Sequence, residues 1–135
     1  DLDVADRAPE DIHSGIQPRV ARRIEPVGLA SGTLAPPARA MLDRLVRLYL
    51  DRLPAPVAAR EAARVAAGEL YFAWEGPTTP GGRYYYRVQG DDLLIEYDST
   101  SADGNHAHTV LRRPYGDFGD DDVLAAHHHA HHRPG

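Results

Sequence analysis

The sequence predicts an α+β domain: a helical hairpin packed on a four-stranded antiparallel meander sheet, followed by a short C-terminal helix. Two changes in hydrophobic pattern support this prediction. Apolar residues recur every three or four positions over residues 37–67, which is typical of amphipathic helices. From Leu70 they recur every second position in four short runs, which is typical of strands. Short turns separate the runs, so neighbours along the chain are expected to pair.

At 135 residues the chain has the length of one domain. Residues 1–27 show neither period and contain Pro9, Pro18 and Pro26 among charged residues, so we expect an extended or disordered arm. Residues 28–127 are expected to form a single α+β domain. Residues 128–135 continue a histidine-rich tail, which would bind metal ions only because it is rich in imidazole.

The helical hairpin is predicted at residues 37–52 and 57–67. Pro36 and Pro37 stand where a helix can begin, because proline is tolerated in the first turn. The segment LPAP, residues 53–56, separates the two helices. The apolar side of the first helix is expected to comprise Ala38, Met41, Leu42, Leu45, Val46, Leu48 and Tyr49.

The four strands are predicted in the runs LYFAW, RYYYRV, LLIEYD and HAHTVLRR, separated by EGPTTPGG, QGDD and STSADGN. A turn closed at Gly90 and Asp91 sets Val88 opposite Leu93. In this register one face of the sheet is apolar and suits the helical hairpin.

The other face carries the polar side chains, and we call it the polar face. Its predicted members are Arg83, Tyr85, Arg87, Glu96, Asp98, His106, His108 and Arg112. In the predicted register Asp98 faces His106, Glu96 faces His108, and Asp92 faces Arg112. Cross-strand Cβ atoms lie about 4.5–5.5 Å apart, so these side chains are expected to share one ion or one substrate.

Composition excludes several classes of function. The chain has no lysine, which removes Schiff-base and P-loop chemistry, and no cysteine, which removes thiolate catalysis and disulfides. A net charge of -5 argues against nucleic acid as a partner. No apolar run is long enough for a signal peptide or a membrane span, so we expect a soluble protein, cytoplasmic or exported with its leader removed.

An ordered series of motifs gives the chain a resemblance. The motifs are FAWEG (72–76), YYRVQG (85–90), LIEYD (94–98), NHAH (105–108), Arg112 with Pro114, and DFG (117–119) followed by Asp122, Leu124 and His127. Over residues 27–127 the chain resembles the family called domain of unknown function 3500, a largely bacterial family with no known reaction. The resemblance implies a longer protein in which these motifs form the C-terminal part, and therefore a missing N-terminal region or partner chain. Arg113 stands where the family pattern has Asp, and Ser99 where it has Asn.

Two histidines at alternate strand positions present two imidazoles on one face, and a facing carboxylate completes a set that suits zinc, iron or manganese. We therefore predict a divalent metal site from His106 and His108 with Glu96 or Asp98, and with His127 as a further ligand. Glu96 and His108 are the predicted catalytic residues of a metal-dependent hydrolase or oxygenase, by general acid–base chemistry.

The alternative is a non-catalytic module that binds an acidic ligand or the remainder of a larger protein. Here Arg83, Arg87 and Arg112 with Tyr85 would hold a carboxylate or phosphate. The plainer role of these arginines is to neutralise the carboxylates on neighbouring strands. After DFG, the sequence predicts a helix from about Val123.

Overall fold

The computed structural model describes residues 25–100 and 106–114. In these residues the chain forms two helices and a five-stranded antiparallel sheet. The helices are α1 (Pro36–Leu50) and α2 (Ala55–Ala66), and the strands are β1 (Leu29–Ala30), β2 (Tyr71–Glu75), β3 (Tyr85–Gly90), β4 (Leu93–Asp98) and β5 (His108–Arg112). The strands lie in chain order across the sheet, so the predicted α+β class and antiparallel meander are confirmed. Neither of the two helices is long and apolar enough to cross a membrane.

Prolines stand at the start of both helices; the sequence predicts this for α1, whereas α2 begins at Ala55, two residues before the predicted Val57. Ala35 precedes α1 in an extended conformation, and Pro36 and Pro37 occupy its first turn, where a missing N–H costs no hydrogen bond. Pro54 precedes α2 in the same way. Between the helices, the Leu53 N–H donates to the Leu50 carbonyl and turns the chain back.

The hydrophobic core lies between the hairpin and one face of the sheet, with α1 as the main helical contributor. The hydroxyl groups of Tyr49 and Tyr86 share a hydrogen bond of 2.7 Å, which links α1 to β3. The buried core residues are Leu42, Val46, Tyr49, Leu50, Leu70, Val88, Leu93 and Ile95. The predicted apolar face is therefore the one that the helices cover.

The strand β1 is a correction to the four-strand prediction. Leu29 pairs with Phe72 and Ala30 pairs with Tyr71, so β1 extends the sheet beyond β2. Gly28 precedes it with φ +104°, and a Cβ there would lie 2.1 Å from the Phe72 carbonyl oxygen. Two residues are too few to show an alternation, which is why the pattern missed this strand. The predicted C-terminal helix and residues 1–24 of the predicted arm lie outside the described residues.

The strand register differs from the prediction by two residues at both hairpins. Val88 lies opposite Ile95 rather than Leu93, and the two-residue turn is Asp91 and Asp92. Asp98 lies opposite His108 rather than His106. A shift of two residues leaves every side chain on its predicted face, so hydrophobic alternation cannot distinguish the two registers.

Glu69 fastens the segment after β1 to the start of β2. Its Oε1 accepts hydrogen bonds from the Gly32 N–H at 2.7 Å and from the Ser31 hydroxyl at 3.1 Å. Both bonds lower the pKa of Glu69 below its ordinary value, and the bond from the Gly32 N–H has the larger effect.

Replacing Leu50 by Ala is expected to lower the free energy of unfolding by about 2–5 kcal/mol, because the side chain is 2 % exposed and leaves a cavity. Leu48→Ala on the same helix is the matched control: at 65 % exposure it should change that free energy by less than about 0.5 kcal/mol. Urea unfolding measures both. Equal effects would contradict the orientation of α1.

The charge of Glu69 is expected to stabilise the fold in a pH-dependent way. Because the folded-state pKa is lowered, the stabilisation is fully present above the ordinary value of 4.5 and is lost as pH falls through the folded pKa. Urea unfolding of the parent and Glu69→Gln should therefore differ at pH 7 and converge at acid pH. Glu25→Gln, at an exposed position, is the control. A difference that persists unchanged at acid pH would refute the role of the charge.

Candidate functional site

Five side chains of the polar face are buried, whereas its two histidines are exposed. Tyr85, Arg87, Glu96, Asp98 and Arg112 are all 6 % exposed or less, and Glu96 is fully buried. Charged side chains removed from water require partners, because an unpaired buried charge costs several kcal/mol. The contacts among these side chains therefore determine what the face can do.

Three of them form a cluster that we call the Glu96 triad: Tyr85, Arg87 and Glu96. Arg87 and Glu96 lie directly opposite each other on β3 and β4, and the Arg87 Nη2 lies 3.0 Å from Glu96 Oε1. The Tyr85 hydroxyl donates to the same oxygen at 2.5 Å and accepts from Arg87 Nε at 2.9 Å. Glu96 Oε2 is buried with no hydrogen-bond partner in the structure as described.

The triad sets the protonation of Tyr85 and Arg87. Burial, followed by the negative charge of Glu96, raises the pKa of Tyr85 well above its ordinary value, so its hydroxyl stays protonated and donates. Burial disfavours the charge on Arg87, but contacts with Tyr85 and Glu96 outweigh burial, and the pKa of Arg87 lies above its ordinary value. The triad is therefore a charge-balanced group at neutral pH.

Asp98 lies one strand period beyond Glu96 on the same face of β4. Its Oδ1 accepts hydrogen bonds from the Thr100 N–H at 2.8 Å and from the Thr100 hydroxyl at 2.6 Å, which orient the carboxylate. Directly across from it on β5 is His108. The His106 ring lies 4.6 Å from the His108 ring, and both histidines are exposed. A buried carboxylate on β4 thus has an exposed imidazole as its cross-strand partner, and the second imidazole lies beside the first.

The predicted pairing of Glu96 with His108 is wrong, because the register places Glu96 opposite Val110. Asp98, predicted to face His106, faces His108 instead. Within residues 25–100 and 106–114, no three His, Asp or Glu side chains lie close enough together to hold a metal ion. His127, the further predicted ligand, lies outside this part of the chain.

The predicted ligand-binding arginines have contacts within the protein. Arg87 is bound to Glu96, and Arg83 Nη1 donates to the Thr100 carbonyl at 3.3 Å. Arg112 lies opposite Leu94 and is buried. The contact of Arg87 matches the plainer of its two predicted roles, the neutralisation of a carboxylate on the neighbouring strand.

The sequence analysis missed two residues that bind the carboxylates of Asp98 and Asp92. Thr100 orients Asp98, and the signal for it was an Asp followed two positions later by Thr, a common local turn. Arg113 binds Asp92 at 2.8 Å, where Arg112 had been predicted. The departure of residue 113 from the family pattern was the available signal.

Comparison with known proteins gives one match. A family model described as protein of unknown function, DUF3500, matches residues 2–120. No curated protein and no solved structure matches the chain.

Removing Arg87 should leave Glu96 buried and uncompensated. We expect Arg87→Met to lower the free energy of unfolding by about 3–5 kcal/mol, and Arg87→Met with Glu96→Leu to cost clearly less than Arg87→Met alone. Urea unfolding of the two single variants and the double variant measures the coupling.

The matched control is the exposed ion pair of α1, Arg39 with Asp43, whose closest atoms lie 3.2 Å apart. The same cycle with Arg39→Met and Asp43→Leu should give a coupling of less than about 0.5 kcal/mol, because solvent screens exposed pairs. Equal coupling in the two cycles would show that the Glu96 triad is not sealed from water.

Proposed function

The chain belongs to the DUF3500 family of proteins of unknown function, and from that premise we propose that its polar face binds a divalent metal ion through Asp98, His106 and His108. Two imidazoles with one carboxylate suit zinc, iron or manganese and leave coordination positions open. A metal held in this way would supply Lewis-acid chemistry to a metal-dependent hydrolase or oxygenase.

The observation that carries the proposal is the pairing of Asp98 with His108. They are direct cross-strand partners, a position at which Cβ atoms lie about 4.5–5.5 Å apart. Asp98 is 1 % exposed, and its orientation is fixed by the two hydrogen bonds from Thr100. Outer hydrogen bonds of this kind orient carboxylate ligands in metal sites.

The imidazoles supply the adjustable part of the site. His106 and His108 are exposed, and their rings are inclined at 54°, so a metal ion at Asp98 requires the rings to rotate toward it. Rotation of exposed side chains is fast and needs no rearrangement of the sheet. His127 remains part of the proposal as a further ligand.

The sequence suggested Glu96 as a metal ligand, but this proposal does not use it to bind the metal. The Arg87 guanidinium, 3.0 Å from Glu96 Oε1, repels a cation that approaches that oxygen. Glu96 Oε2 has no hydrogen-bond partner in the described residues, and it would accept a proton or hydrogen bond from a substrate beside the ion once the side chains that bury it move aside. We therefore retain Glu96 with His108 as the proposed catalytic pair and assign direct metal binding to Asp98.

The rival proposal, a non-catalytic module for an acidic ligand, has less support. It requires Arg83, Tyr85, Arg87 and Arg112 to bind the ligand, and the structure already directs Arg87 and Tyr85 to Glu96. Binding to the remainder of a longer protein remains part of this rival and uses no residue in particular.

The metal proposal is tested in the 135-residue chain with His128, His129, His131 and His132 replaced by Gln, so that the tail binds no metal. We expect this protein to take up about one equivalent of zinc, iron or manganese in elemental analysis, and a His106→Ala, His108→Ala double variant to take up none. Asp98→Asn should weaken zinc binding about 10-fold or more in calorimetry.

His13→Ala controls for the loss of a histidine elsewhere and should leave uptake unchanged. Circular dichroism checks that each variant folds. Absence of metal in the folded parent, or uptake that survives the double substitution, would refute the proposed site.

A further inference from the structure

A cavity of about 380 Å³ lies on the helical side of the sheet, away from the polar face. Its walls come from α2, from the turn at Asp91 and Asp92, and from β5 and the residue after it. Ligand pockets in proteins commonly measure about 300–1,000 Å³, so this cavity suits a small molecule. None of the residues proposed to bind metal lines it.

The floor of the cavity is aliphatic. It carries no aromatic ring that would favour a flat ligand. The floor residues are Leu50, Leu53, Val65, Leu70, Leu93 and Leu111. Such a surface selects a compact, branched apolar group, because burial of apolar area is the main favourable term for such a ligand.

The rim above the floor is charged, with four carboxylates, Glu61, Glu69, Asp91 and Asp92, and two guanidiniums, Arg64 and Arg113. Glu61 and Arg64 come from α2, Asp92 from the β3–β4 turn, and Arg113 from the residue after β5. Arg64 Nη2 and Arg113 Nη2 bind the same oxygen, Asp92 Oδ2, at 2.7 and 2.8 Å. This contact holds three separate elements in one arrangement around the cavity mouth.

Glu61 and Arg64 retain hydrogen-bonding capacity within this rim. Glu61 is only 8 % exposed, yet its Oε2 lies 3.6 Å from Arg113 Nε and 3.9 Å from Arg64 Nη1. Both contacts are ion pairs that are too long for hydrogen bonds, and the other oxygen, Glu61 Oε1, accepts a hydrogen bond from Arg60 Nε at 3.3 Å. The rim therefore offers one carboxylate acceptor and one guanidinium donor, close together and without a hydrogen bond between them.

We propose that this cavity binds a free α-amino acid with a branched aliphatic side chain, of the size of leucine. The ligand ammonium donates to Glu61 Oε2, the ligand carboxylate accepts from Arg64 Nη1, and the side chain covers the aliphatic floor. A zwitterion places one charge beside each of these two groups, whereas a purely anionic or cationic ligand leaves one of them unsatisfied.

The test is calorimetric titration of the unmodified full chain with L-leucine and three probes. 4-Methylpentanoate lacks the ammonium, L-leucinamide lacks the carboxylate, and L-aspartate lacks the aliphatic group. We expect leucine to bind, each of the first two to bind about 10-fold more weakly or worse, and aspartate to give no binding, because each omission leaves a charged rim group or the floor without its partner.

Two variants then locate the binding. Glu61→Gln should weaken leucine about 10-fold without changing 4-methylpentanoate, and Arg64→Gln should weaken both without changing leucinamide. Arg44→Gln, an exposed position on α1, is the control and should change nothing. If a variant does not fold, the probe series on the unmodified protein still decides.

Three results would overturn the proposal. The first is no heat with leucine at concentrations of about 10 mM. The second is equal affinity for leucine and both truncated probes, which would show a merely apolar surface. The third is leucine binding that both variants leave unchanged, which would place the ligand elsewhere.

Discussion

The ion pair between Arg87 and Glu96 is the interaction on which the polar face depends. Both side chains are buried, and they are direct partners across β3 and β4. A buried carboxylate without a cation is too costly to keep, so the pair disfavours any register that separates it. A slip of two residues would set Arg87 opposite Leu94 and remove the guanidinium from across Glu96. The proposed metal site depends in addition on the register of β4 and β5, which sets Asp98 opposite His108.

The sheet has a buried face on each side, and β4 contributes to both. Ile95 packs against the helices, while Glu96 and Asp98, on the opposite face, lie in the polar cluster. Burial on both sides leaves β4 little freedom to move. The ligand carboxylate proposed for metal is thus held by a rigid central strand, whereas the imidazoles proposed to join it are exposed on β5 and just before it. This division favours a site that is completed when the ion binds.

Much of the fold could be predicted from the sequence, because burial imposes periods that the residues record. The change of period at Leu70 separated helices from strands, and the prolines at 36 and 37 marked the start of α1. Alternation also assigned each side chain of β3 and β4 to its face. It could not assign the register, because a two-residue slip preserves both faces, and it could not detect β1, which has only two residues.

The site was less predictable, because its contacts join residues that are distant in sequence. The histidines and carboxylates were found from their spacing, but the actual partner of Glu96 is Arg87, and Thr100 orients Asp98. The burial of the polar face had no signal, since polar residues on a strand normally face water. The charged rim was equally hidden: Glu61 and Arg113 are far apart in the chain and meet only in the fold.

The central claim is the register that places Asp98 opposite His108, and nuclear Overhauser effects between backbone protons of β4 and β5 test it most directly. Our account predicts cross-strand contacts that join Asp98 to His108 and Glu96 to Val110. Contacts that join Asp98 to His106 and Glu96 to His108 would contradict it. Such contacts would show that Glu96 lies opposite His108, and the reason for assigning the metal to Asp98 would be lost.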